Sequence, residues 1–237
     1  MSFRLTGLRL FQSSLNSLPS EKLLINTINA HSYNIAQKDD LFAKALQESD
    51  ILLPDGISIV YAKRLLEGIK LKKIAGADLF LYEMNRLNMK GGSCMFLGSS
   101  ESNLEFIRTH AASDFPQVRV STYSPPFKPE FSDKDNLSML KVINSEKPDV
   151  LFLGMTAPKQ EKWAFQFFNS IDANHICSIG AVFDFYAGSI NRAPEWLIKL
   201  GLEWFYRFIR EPIRLSKRYL IGNFKFVWLI IREVVHR

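Results

Sequence analysis

The feature that most constrains this chain is a regular alternation of short apolar runs with longer segments of helical spacing. Strand-like runs occur at 22–29, 49–56, 93–100, 118–125, 148–155 and 175–185. Between them, 31–48, 57–68, 77–90, 101–113, 133–146 and 159–171 repeat apolar residues at helical intervals. This alternation predicts an α/β fold, a Rossmann-like, parallel-rich sheet with helices on both faces. Ligands of such sheets bind outside the carboxyl ends of the strands, so strand ends are where functional residues are to be sought. The loop at 124–135, with three prolines, is a candidate lid or a plain rigid connector.

Past residue 190 the pattern becomes helical only, which divides the chain into an α/β core at 1–190 and a C-terminal appendage at 191–237. Leu202, Phe205, Ile209 and Ile213 form one stripe, Arg207, Arg210, Arg214 and Arg218 another, and Pro212 should break the helix near Glu211. Charge follows the same division. Residues 190–237 carry ten Lys or Arg against four acids, a surplus of +6 that equals the net charge of the whole chain, so the first 189 residues are neutral. A basic tail that ends "NFKFVWLIIREVV" reads either as an amphipathic element lying on an anionic membrane surface or as a helical pair docked on the core with solvated arginines. Arg4 and Arg9 interrupt the apolar residues of the N-terminus, which argues against a signal peptide. No stretch reaches the roughly 18 uncharged apolar residues of a membrane span. Cys94 and Cys177 lie inside apolar runs and read as small buried hydrophobes in a reducing compartment. The expectation is a protein of the cytoplasmic side.

Walker, GxGxxG, HExxH and CxxC motifs are absent, and the four histidines show no ligand spacing, so a zinc site is not expected. "FLGSS" at 96–100 could hold a phosphate or be a tight turn. Four other stretches are more specific. In "INTINAHS", Thr27 and Asn29 are two apart and share a face, where they either cap the next helix or bind a ligand. In "LLPDGIS", Asp55 ends an apolar run between Pro54 and Gly56, as a helix cap or as a catalytic carboxylate. In "GMTAPKQEKW", Gln160 and Glu161 fall in the first turn of a helix, where backbone N–H groups favour anions or simply need capping. In "GAVFDFYAGSINRAPEW", Asp184 and Arg192 could form an ion pair, with Gly180 and Gly188 permitting close backbone approach.

Taken in order, these stretches resemble the WecG/TagA/CpsF family of bacterial glycosyltransferases, glycosyltransferase family 26. The resemblance covers nearly the whole chain. It rests on Thr27-x-Asn29, Asp55-Gly56, Gly76-x-Asp78-Leu79, the Gly154 to Glu161 motif, the 180–188 motif with "RAP" at 192–194, and "EWFYRFIREPIRLSKRYL" at 203–220.

The resemblance implies an inverting transferase that moves an N-acetylmannosamine-type sugar, or a related hexose or uronic acid, from a UDP donor to a polyprenyl-diphosphate-linked sugar in cell-surface polysaccharide assembly. It implies no metal or other cofactor. Asp55 would then be the base, with its pKa raised by burial. Thr27 and Asn29 would position substrate and Gln160 would line the same pocket. Lys73 stands where the family usually has Arg, and a lysine cannot make the bidentate fork that an arginine makes with phosphate. Arg207, Arg214 and Arg218 would meet the UDP or lipid diphosphate while the appendage attaches to the inner face of the cell membrane. Self-association through the apolar tail is compatible with this reading. The competing expectation is a nucleic-acid-binding or other anionic-surface-binding module using the basic, aromatic-rich tail. The neutral core and the helical spacing of the aromatics argue against nucleic acid as a partner.

Overall fold

The computed structural model describes residues 3–190, 193–199 and 201–236, with backbone only at 195, 199, 207, 214, 217 and 218. Its centre is a sheet of β1 (Leu23–Ile28), β2 (Ile51–Pro54), β3 (Ser93–Gly98), β4 (Arg119–Tyr123), β5 (Val150–Gly154) and β6 (His175–Ser178). The strand order is β2-β1-β6-β5-β3-β4 and every pairing is parallel. Parallel neighbours require crossover connections. These are supplied by α1 (Ala30–Ala36), α2 (Asp40–Gln47), α3 (Ile57–Glu67), α4 (Gly76–Lys90), α5 (Glu101–Asp114), α6 (Asp133–Glu146) and α7 (Lys159–Phe167). After β6 come α8 (Val182–Tyr186), α9 (Glu195–Lys199), α10 (Glu203–Arg210), α11 (Pro212–Ser216), a π-helical turn (Lys217–Ile221) and α12 (Gly222–Val235).

Successive side chains on a strand point to opposite faces, and the core divides accordingly. Ile25, Leu53, Phe96, Phe152 and Cys177 pack under α4, α5 and α8. Leu24, Met95, Leu97, Leu151 and Ile176 pack under α6 and α7 on the other face. Ile28 and Leu52 extend that second face beneath α1, α2 and α3. Both cysteines are buried and free.

Three sequence expectations are adjusted. The segment 31–48 is two helices, because the Asp39 carboxylate caps α2 by accepting from Phe42 N–H at 2.9 Å. The run 175–185 is a strand only to Ser178; Gly180 turns the chain with φ 53° and the apolar "VFDFY" is helix α8. The helix at 159–171 ends its α-helical part at Phe167. Pro212 acts as expected, since α10 stops at Arg210 and α11 begins on the proline.

The last helix is seated on the core. Phe226 and Ile230 of α12 enter the cluster beneath α1 and α3, and the Phe226 ring meets Tyr33 edge-on at 5.3 Å. Burying two such side chains stabilises the docking by about 1.5–3 kcal/mol each. A polar anchor fixes its angle. The buried Glu233 carboxylate accepts from Leu5 N–H at 3.2 Å, Thr6 N–H at 2.7 Å and Tyr33 Oη–H at 3.0 Å. Glu233→Ala strands these donors and should cost about 3 kcal/mol in urea denaturation, whereas Tyr33→Phe, which removes one donor and leaves the rest paired, should cost about 1 kcal/mol.

Candidate active site

The site is built at the carboxyl edge of the sheet, and strand register places its first residues. Ile28 of β1 lies opposite Pro54 of β2, and Asp55 N–H donates to Ile28 C=O at 2.9 Å. This bond sets Asn29 and Asp55 side by side where the two strands end. Thr27 faces the same way as Asn29, two residues earlier.

The cap reading of Asp55 is tested by what caps α3. Its N-cap is Gly56, and no side chain makes the capping hydrogen bond. Asp55 is therefore not a cap. Gly56 adopts φ 133°, and a Cβ there would come within 3.5 Å of the Asn29 Cβ, so the turn both needs a glycine conformation and brings the two strand ends together. Asn29 does cap its helix, its Oδ1 accepting from His31 N–H at 3.0 Å and Ser32 N–H at 3.1 Å. The same side chain acts on Asp55, lowering its pKa. Capping and site roles thus fall on one residue.

The chain between α3 and α4 runs beside β2, held by Ile74 N–H donating to Pro54 C=O at 3.1 Å, and so delivers Lys73 to the same place. Lys73 Nζ is 3.9 Å from Glu203 Oε2, which arrives on α10. These charges act on Asp55. Burial raises its pKa first, to about 6, with the Glu203 carboxylate adding to the rise and Asp78 adding less. Lys73 and the Asn29 side chain oppose it.

Gln160 and Glu161 form a further part of the wall. Gln160 Oε1 accepts from Met155 N–H at 3.1 Å and its Nε2 donates to Glu161 Oε1 at 2.9 Å. Both side chains are buried. Burial pushes Glu161 up to about 7, against the Gln160 hydrogen bond, and its Oε2 is buried without a partner among the described residues.

Thr27, Asn29, Asp55, Lys73 and Gln160 all line one cleft of about 1420 Å³. Glu161 and Glu203 line it too, and Trp204 and Tyr219 of the appendage contribute to its wall. Five residues expected from sequence are thereby brought together. Arg207, Arg214 and Arg218 fall on α10, α11 and the π-helical turn, and their side chains lie outside the described residues, as does Arg192. Asp184 lines the cleft and accepts from Asn103 Nδ2 at 3.2 Å. Glu203 was not expected as a site residue; the only sequence signal was its place at the start of the 203–220 stretch. Among the described residues, no group of three or more His, Cys, Asp or Glu is placed to hold a metal ion.

A carboxylate with a near-neutral pKa, a lysine beside it and a large cleft at the carboxyl edge of a parallel sheet describe an α/β enzyme that can take a proton from a ligand and face anionic groups. The chain belongs to the Glycosyl transferase WecG/TagA/CpsF family, whose model matches residues 6–237, and it is a glycosyltransferase. Relatives are named N-acetylglucosaminyldiphosphoundecaprenol N-acetyl-beta-D-mannosaminyltransferase. That of Bacillus subtilis strain 168 is 29% identical over 210 residues, covering 89% of this chain and 79% of the relative. That of Bacillus spizizenii W23 is 27% identical over 179 residues, covering 76% and 68%. That of Staphylococcus aureus MW2 is 23% identical over 198 residues, covering 84% and 76%. The nucleic-acid-binding reading of the tail gains no support from these matches.

Burial of Glu161 has a consequence for stability. Its carboxyl is protonated in the folded chain up to about 7, whereas the unfolded side chain ionises near 4.5. Its contribution is therefore fully present below pH 4.5 and is lost as pH rises through 7. Glu161→Gln, which keeps the hydrogen-bonding shape without a charge to bury, should be more stable than the parent by about 2 kcal/mol at pH 8 and show a flatter dependence of urea stability on pH from 5 to 8.

Proposed function

We propose that this glycosyltransferase transfers an N-acetylmannosamine-type sugar from a UDP donor to a polyprenyl-diphosphate-linked N-acetylglucosamine, with inversion and without a metal ion, in cell-surface polysaccharide assembly. The names of the relatives support the sugar and the lipid-linked acceptor. The observation that carries the mechanism is Asp55, a carboxylate that caps no helix, lines the cleft and has a pKa of about 6.

In this mechanism the acceptor hydroxyl attacks the anomeric carbon of the donor sugar. Its proton passes to Asp55, and the bond to UDP breaks on the opposite face. A base with a pKa near the working pH is ionised when needed yet still holds the proton it takes. The leaving diphosphate carries negative charge, which Lys73 and the appendage arginines Arg207, Arg214 and Arg218 would stabilise. Thr27, Asn29 and Gln160 would orient the sugars, Gln160 with its amide already fixed by Met155 and Glu161.

A lipid-linked acceptor requires the cleft to meet a membrane, and the appendage has the surface for it. Phe224, Trp228 and Ile231 form an outward stripe on α12, all more than half exposed, and Ile209 and Ile213 are exposed on α10 and α11. Exposed apolar side chains on a basic segment suit a peripheral attachment to anionic lipid. No helix among the described residues is long and apolar enough to cross a membrane. The cytoplasmic face of the cell membrane is the proposed location.

The test is a panel of UDP-sugars with a short-chain polyprenyl-diphosphate-N-acetylglucosamine, in EDTA, with glycosylated lipid scored by mass. UDP-N-acetylmannosamine should give product, with kcat/KM falling below a pH of about 6. Asp55→Asn should lose about 10²–10⁴ in kcat while folding normally; an active Asp55→Asn would remove Asp55 as the base. Separately, Phe224→Ser, Trp228→Ser and Ile231→Ser combined should cut sedimentation with anionic vesicles by at least about tenfold, and undiminished binding would place the attachment elsewhere.

A further inference from the structure

The carboxylate that faces Lys73 comes from the appendage, not from the core. Glu203 Oε2 and Lys73 Nζ are 3.9 Å apart, and each side chain is only about one fifth exposed. The turn that delivers Glu203 is tightly held. Leu202 N–H donates to Leu197 C=O at 2.8 Å, and Gly201, at φ 73°, lies so close to α3 that a Cβ would come within 3.2 Å of Ile57 Cγ2. Ile57 is the first residue of α3, two residues beyond Asp55. The appendage therefore packs beside the start of α3, two residues beyond the proposed base.

Among the described residues, the groups that act on Asp55 come from four elements. They are Asn29 from the β1–α1 junction, Lys73 from the segment before α4, Asp78 from α4 and Glu203 from α10. Asp78 is also engaged in accepting from Ala75 N–H at 2.8 Å. Among these four, only Glu203 belongs to the appendage.

We propose that Glu203 is a positioning residue supplied by the appendage, which pairs with Lys73 and sets the charge balance at Asp55, so that the base is tuned only when α10 is docked. Without Glu203, Lys73 faces Asp55 alone and holds it ionised but weakly basic. With it, the lysine charge is shared and a second carboxylate opposes ionisation of Asp55. A better base is thereby tied to the same segment that offers the cleft to a membrane. The inference rests on Asp55 being the base of the proposed transfer.

The experiment reads Asp55 without turnover. Carboxyl carbons of aspartate are ¹³C-labelled in the full chain, and the Asp55 signal is assigned by its loss in Asp55→Asn. In Glu203→Gln the titration midpoint of Asp55 should fall by about one pH unit, and in Lys73→Gln it should rise by about as much. Glu203→Asp should restore most of the parent value. The acidic limb of kcat/KM should move in the same directions. A purely steric role for Glu203 would leave the midpoint in place in Glu203→Gln, which keeps the size of the side chain. An unmoved midpoint in Glu203→Gln would overturn the inference, whether or not Lys73→Gln shifts it. Opposite shifts in the titration with no transfer from any UDP-sugar would uphold the link between Glu203 and Asp55 while rejecting the assigned reaction.

Discussion

The site depends on the register of β1 against β2. Ile28 opposite Pro54, with the bond from Asp55 N–H to Ile28 C=O, puts Asn29 and Asp55 at adjacent strand ends. A slip of one residue would turn Asp55 to the other face of the sheet. What prevents the slip is the core on both sides: Leu52 packs beneath α1 and α3, while Leu53 packs beneath α4. The position of the carboxylate is thus a product of hydrophobic packing several residues away. Loop geometry enters later, at Gly56, which lets the two strand ends approach.

Around that point the fold accepts electrostatic cost. Asp55 and Glu161 both have pKa values raised by burial, and Glu161 keeps one carboxyl oxygen buried without a partner among the described residues. Both groups carry a burial cost that a core built for stability alone would avoid. The cost is spread over a broad base. The sheet is covered on both faces, and α12 adds a further layer held by Glu233. Structure far from the cleft therefore makes the unfavourable burial within it tolerable.

The sheet was readable from sequence because each parallel strand, buried on both faces, is a compact apolar run with turn residues at its end. The same signal misleads at 179–185, where "VFDFY" follows β6 without a polar break and only the conformation of Gly180 separates strand from helix. Local rules also hid the division at Asp39, whose capping role depends on where its carboxylate points. That Thr27, Asn29, Asp55 and Gln160 would meet could be read from their places at strand ends or in the first turn of a helix, while the roles read for them came from the family resemblance. The capping alternative for Asp55 could be decided only from the geometry of Gly56. Glu203 was not legible, because its contact with Lys73 spans most of the chain and depends on how the appendage folds back.

That fold-back has a temporal side. Every strand of the sheet is complete by Ser178, but one wall of the cleft comes from residues beyond Gly201, and the helix that fastens that wall is pinned by Glu233 to Leu5 and Thr6. On the ribosome the sheet can form while the tail is still inside the exit tunnel. A nascent chain at that stage has its core and its strand-end carboxylate, but a cleft that lacks the wall around Trp204 and Tyr219 and lacks Glu203 beside Lys73. The stretch that finishes the site is translated after the sheet, so the complete cleft can form only once residues beyond Gly201 have emerged.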